Sequence, residues 1–80
     1  MDSYYQLLLG YITTYVNDIL FDENVDAEKE YETFRNQHQI DDNVNNLDIT
    51  ELEKEKFYHK VFQEFTTQLD IQRLVQIIRL

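Results

Sequence analysis

The sequence contains no cysteine, no proline and a single glycine. Without cysteine, the chain has no disulfide framework, no thiolate metal site and no thiol nucleophile. Sheets and loop-rich folds need glycine and proline at their turns, so this scarcity favours helices joined by Asn/Asp loops. No apolar run approaches the length of a signal-peptide core or a membrane span. We therefore expect an unexported, cytoplasmic protein with no membrane association.

The apolar material that is present is enough for one core. The 80 residues include six tyrosines and five phenylalanines, and 42% of the side chains are hydrophobic. A single core needs at least about 50 residues, and chains divide into domains only well beyond this length. The expected fold is all-α, a single-domain bundle of three to four helices over residues 1–80.

Apolar residues at three- and four-residue spacing predict helices at about 3–21, 27–37 and 50–69. Asp26 precedes the second helix as a cap, and Thr50 with Glu53 has the spacing of a capping box at the third. Residues 40–47 are rich in Asp and Asn, which is typical of a loop.

The apolar stripe of the third helix loses its phase after Leu69. To continue it, apolar residues would be needed near Gln72 and Gln76, whereas the apolar residues resume at Ile71. We therefore predict a break and a fourth short helix at 71–79, with one long helix over residues 50–80 as the alternative.

The charge is strongly negative and uneven. The net charge is −9, and residues 18–53 hold twelve carboxylates against Lys29 and Arg35. This acidic stretch disfavours direct binding to nucleic acid or anionic membranes and favours a basic protein partner. The carboxylates predicted to form the docking surface are Asp22, Glu23, Asp26, Glu28, Glu30, Glu32, Asp41 and Asp42. The alternative is that these charges only keep the chain soluble.

One loop has part of a calcium-binding pattern. Asp22, Asn24 and Asp26 match the first three oxygen ligands of an EF-hand loop. Ala27 stands where the sharp turn needs glycine, and Thr33 stands where a bidentate glutamate is needed. The pattern therefore favours an ordinary helix start, and no metal or cofactor is predicted.

The remaining reactive side chains do not form a catalytic pattern. His38 and His59 lie on different elements, and a zinc site needs three or four ligands. Ser3 is the one serine, and no glycine-rich oxyanion or phosphate loop accompanies it. We expect that the protein is not an enzyme.

The first helix carries a tyrosine-rich side. Tyr4, Tyr11 and Tyr15 fall on one side, where they belong to the edge of the core or form a self-association surface for a homodimer. Gly10 in mid-helix indicates close approach of another helix.

Three functions fit these features. The first is a protein-binding module: an inhibitor, antitoxin, immunity protein or adaptor that covers a basic surface. The second is a nucleic-acid mimic, such as a phage-type inhibitor of a restriction or CRISPR nuclease. The third is a structural helical oligomerisation module.

Overall fold

The computed structural model describes residues 2–79, with side chains through residue 78, and contains four helices of very different length. The helices are α1 (Asp2–Asn17), α2 (Ala27–Gln37), α3 (Ile40–Asn45) and α4 (Glu51–Arg79). Within residues 2–79 there is no strand, so the all-α bundle is confirmed. None of the helices in this range has the length and hydropathy needed to span a bilayer.

The longest helix organises the others. A helix of 29 residues is about 44 Å long at 1.5 Å per residue, so α4 runs nearly the full 46 Å length of the molecule. Both α1 and α2 pack on α4, and α3 packs on α2. The fully buried side chains are Leu8, Ile12, Val16, Phe34, Ile40, Val44, Val61, Phe65 and Leu69. Aromatic rings form the middle of this core, where Phe34 lies 5.3 Å from Phe65 between ring centroids.

The predicted helix starts are confirmed by their hydrogen bonds. At α2, Asp26 Oδ1 accepts the backbone N–H of Glu28 at 2.9 Å. At α4, Thr50 and Glu53 form a reciprocal capping box, with both N–H-to-side-chain distances at 3.1 Å. Hydrogen bonds that the Glu53 carboxylate accepts from the backbone N–H and the hydroxyl of Thr50 hold the pKa of Glu53 below its usual range.

The prediction of a loop at residues 40–47 is wrong for most of that segment. Residues 40–45 form α3, a helix of six residues that begins after Gln39, which adopts a left-handed conformation with φ of 52°. Ile40 and Val44 are both fully buried. Their i, i+4 spacing places them on one side of a single helical turn, and their burial outweighs the loop preference of the Asp and Asn residues between them.

The predicted break between residues 69 and 71 is also wrong, because α4 is continuous to Arg79. Gln72 and Gln76 do continue the inward stripe, although they are polar. The side-chain amide of Gln76 donates from Nε2 to the carbonyl of Ile19 at 2.7 Å and accepts the N–H of Phe21 at 3.0 Å. Gln72 Nε2 donates to Asn17 Oδ1. At these two positions α4 is therefore held by hydrogen bonds to the end of α1 and the segment after it, instead of by apolar packing.

The first helix is shorter than predicted. It ends at Asn17 instead of about residue 21, and residues 18–21 continue as a non-helical segment with Ile19 and Phe21 half-buried. The prediction that Gly10 marks a close helix contact is wrong, because a Cβ added there meets nothing within 4 Å.

Candidate functional site

A groove opens between the C-terminal half of α1, the segment that follows it and α2. Its volume is about 810 Å³. Both α1 and α2 pack on α4, and residues of α1, of the segment after it and of α2 line the groove. We call it the α1–α2 groove. Its polar and aromatic lining includes Tyr11, Tyr15, Asp18, Asp22, Glu30 and His38.

The carboxylate of Glu30 on α2 is held by a tyrosine of α1, on the opposite wall of the groove. Tyr15 Oη donates to Glu30 Oε2 at 2.7 Å, and its ring packs edge-on against Phe34 at 5.5 Å between centroids. Burial and the hydrogen bond to Glu30 raise the pKa of Tyr15 to about 12. The hydroxyl therefore remains a donor at neutral pH. An ionised carboxylate has about four acceptor positions, so Glu30 keeps capacity for a cationic ligand.

A stacked aromatic pair forms another part of the wall. The rings of Tyr11 and His38 lie 4.5 Å apart and 12° from parallel, and His38 also contacts the ring of Phe34. Burial lowers the pKa of His38 below its usual value of about 6.5. Burial therefore favours the neutral imidazole over the charged form in the groove.

Two exposed aspartates lie at the rim where the chain leaves α1. Asp18 directly follows α1, and Asp22 lies in the segment before α2. Asp22 Oδ1 accepts the N–H of Asn24 at 2.7 Å, which closes a short Asx turn. The calcium-like aspartates thus serve a turn and, at Asp26, a helix cap. Across residues 2–79, no three His, Asp or Glu side chains meet in a metal-binding arrangement.

The other predicted carboxylates of this part of the chain point elsewhere. Glu23 is exposed in the loop, and Asp26 is exposed at the start of α2. Glu28 and Glu32 are exposed on α2, about 160° around the helix from Glu30 at 3.6 residues per turn. Helix α2 therefore divides the acidic stretch between the groove and an outer flank.

The carboxylate of Asp41 on α3 already has a cationic partner within the chain. Arg35 makes an ion pair with Asp41, donating from Nε at 3.2 Å, and Tyr58 Oη donates to the same carboxylate at 2.8 Å. The guanidinium also lies 4.6 Å over the ring of Tyr58. Burial opposes ionisation of Asp41, but the hydrogen bonds from Arg35 and Tyr58 outweigh it and lower the pKa. Its neighbour Asp42 is exposed on α3 and does not line the groove.

The three tyrosines predicted for self-association make separate contacts inside the molecule. Tyr4 stacks on Phe57 at 5.8 Å, Tyr11 stacks on His38, and Tyr15 bonds to Glu30. Tyr11 is 38% exposed, whereas Tyr4 and Tyr15 are half-buried. Self-association through these tyrosines stays a prediction, and the structure adds a second role for Tyr11 and Tyr15 as groove walls.

Comparison of the chain with protein-family models, curated proteins and solved structures returns no match. Sequence reasoning counted Asp18 in the acidic stretch but did not select it as a site residue. The signal was present, since Tyr11, Tyr15 and Asp18 follow one another at four and three residues and share a helix flank.

Proposed function

We propose that this protein is a small acidic protein-binding module, an inhibitor, antitoxin, immunity protein or adaptor, which receives a basic segment of its partner in the α1–α2 groove. The observation that carries the proposal is the composition of the groove. It is concave, its carboxylates lie at Asp18, Asp22 and Glu30, and burial favours the neutral form of its one imidazole, His38. The cytoplasmic location expected from the sequence stays a prediction.

A lysine or arginine side chain fits this lining. The methylene stem of such a side chain packs on aromatic rings, and its charged head forms short hydrogen bonds with carboxylates. Ligand sites in proteins typically have volumes of about 300–1,000 Å³, and the 810 Å³ of the groove falls in that range. The space suits one or two long basic side chains from an extended segment.

The carboxylates outside the groove contribute at longer range. Glu23, Glu28 and Glu32 are exposed, and their field extends for about one Debye length, roughly 8–10 Å at physiological salt. Fields of this kind raise the rate of encounter with an oppositely charged surface more than they strengthen the final complex. We assign these residues to steering and the groove to docking.

The proposal is tested by capturing a partner from the native host and comparing three double variants. Asp18→Asn/Asp22→Asn neutralises the groove rim and keeps an oxygen to accept the Asn24 N–H. Glu28→Gln/Glu32→Gln neutralises the outer flank, and Asp48→Asn/Asp70→Asn is the control away from both. Each variant removes two charges and keeps side-chain shape.

We expect a basic protein to be captured by the wild type and the control, with the greatest loss for the groove variant. The outer-flank variant should associate more slowly and dissociate at the wild-type rate. Equal capture by all three variants would refute docking in the groove. Competition with DNA or RNA separates a nucleic-acid mimic from other inhibitors, because only a mimic covers the partner's nucleic-acid site.

A further inference from the structure

The C-terminal part of α4 presents apolar side chains to solvent. Ile71 is 49% exposed, Leu74 59% and Ile78 82%. Val75 completes the same side of the helix and is half-buried. We call these four residues the terminal apolar face. Contiguous exposed apolar patches on small proteins mark interaction surfaces more often than isolated exposed residues do.

The orientation of this face follows from the glutamine contacts of the same helix. Gln76 faces the bundle, where it binds the backbone of Ile19 and Phe21. At about 100° per residue, Ile71, Leu74 and Ile78 lie roughly 140–160° around the helix from Gln76. The bundle therefore leaves about half or more of each side chain exposed. The change of phase in the sequence reflects apolar residues that lie on the outer side of a continuous helix.

We propose that the terminal apolar face binds a second copy of this chain, with the two α4 helices antiparallel. The spacing of Ile71, Leu74 and Ile78 is that of a coiled-coil seam, in which apolar residues recur after three and four positions. The seam also fits itself. A two-fold axis between positions 74 and 75 sets Ile71 against Ile78 of the second copy and Leu74 against Val75, as a symmetric interface requires.

Charge favours a second copy over a partner of the kind proposed for the groove. Residues 69–80, which contain the face, carry only Asp70, Arg73 and Arg79, a net +1, whereas residues 18–53 carry −10. Arg73, the one charged residue between 71 and 78, turns toward the bundle, where it contacts the ring of Phe21 and the carbonyl of Val25. Two strongly acidic copies therefore meet at the end where their mutual repulsion is least.

The dimer leaves the α1–α2 groove open. The segment that forms the groove rim packs on the Gln72 and Gln76 side of α4, away from the terminal apolar face. An interface of four side chains from each copy is smaller than the standard size, so we expect a dimer that dissociates on dilution. Each dimer then carries two grooves, and a partner with two basic segments gains avidity.

Sedimentation velocity over a hundredfold range of protein concentration tests the association. The wild type should shift from monomer to dimer, and Leu74→Glu/Ile78→Glu should remain monomeric at every concentration. The control is Leu7→Glu/Leu52→Glu, two leucines exposed at 50% and 60% elsewhere, which should dimerise like the wild type. A monomeric wild type, or a dimer unaffected by Leu74→Glu/Ile78→Glu, would overturn the proposal. So would wild-type protein that stays monomeric and co-sediments with phosphatidylcholine vesicles, because the face would then serve a lipid surface.

The absence of cysteine makes the antiparallel register testable by cross-linking. Leu74→Cys lies beside the two-fold axis and should form a disulfide-linked dimer on mild oxidation. Position 71 lies about 10 Å along the helix from position 71 of the second copy, at 1.5 Å per residue, so Ile71→Cys alone should form no disulfide. A mixture of Ile71→Cys and Ile78→Cys should form the mixed disulfide-linked dimer. If Ile71→Cys alone forms disulfide-linked dimer in the same yield as Leu74→Cys, the antiparallel arrangement is overturned.

Discussion

Replacement of Gln76 by alanine should loosen the segment between α1 and α2, which forms part of the groove lining. Gln76 makes two part-buried hydrogen bonds to this segment, to the carbonyl of Ile19 and the N–H of Phe21. A hydrogen bond of this kind contributes about 0.5–1.5 kcal/mol net, so Gln76→Ala should lower the free energy of unfolding by about 1–3 kcal/mol. For a chain of this length, each kcal/mol corresponds to about 4–8 °C in Tm.

Urea unfolding followed by circular dichroism measures this change. The matched control is Gln63→Ala, since Gln63 is exposed on the same helix and gains the same helix propensity from alanine. We expect the control to remain within about 0.5 kcal/mol of the wild type, with an unchanged m-value for both variants. If the two variants have equal stability, the polar stripe of α4 does not hold the segment, and the explanation of the continuous helix is wrong.

Four further substitutions should change stability in a predicted direction. Gly10→Ala should stabilise the protein by about 1 kcal/mol in thermal unfolding, because the new methyl meets nothing within 4 Å; destabilisation would reveal a contact there. Tyr31→Phe should raise stability by about 1 kcal/mol, because the Tyr31 hydroxyl is buried with no partner among residues 2–78, whereas Tyr58→Phe should lower it by a similar amount through loss of the bond to Asp41. The pKa of His38 is lower in the folded chain than in the unfolded chain, so the unfolded chain takes up a proton at higher pH. The free energy of unfolding should therefore fall as the pH drops below about 6.5, and His38→Gln should reduce this pH dependence.

Local signals in the sequence were sufficient for the helix starts. The cap at Asp26 and the box formed by Thr50 and Glu53 involve residues two or three positions apart, so the pattern contains both partners of each hydrogen bond. The all-α fold follows from the same kind of signal, helical periodicity in a chain with almost no glycine and no proline.

Long-range contacts decide the features that the sequence did not predict. Helix α3 forms because Ile40 and Val44 are buried by the rest of the bundle, whereas the Asp and Asn residues between them favour a loop in the local sequence. The continuity of α4 depends on Gln76 and a backbone segment 55 and 57 residues away. Tyr15 and Glu30 likewise meet in the groove only because α1 and α2 both pack on α4.

The pairing of carboxylates could not be predicted either. The sequence does not distinguish Asp41 from Glu30, but Asp41 is paired with Arg35, whereas Glu30 is held at the groove wall by Tyr15. An arginine six positions before an aspartate has no fixed relation to it until the turn after α2 is formed. The acidic surface available to a partner is therefore smaller than the number of carboxylates in residues 18–53 suggests.

The salt dependence of affinity for the captured partner is the most direct test of the groove as a docking site for a basic segment. Calorimetric titrations at about 50 to 500 mM NaCl span Debye lengths of roughly 14 to 4 Å, so they separate charge-driven binding from apolar binding. The wild-type affinity should fall steeply with salt, and Asp18→Asn/Asp22→Asn should bind more weakly with a shallower dependence. An affinity that is constant across this range and equal for the two proteins would contradict the account.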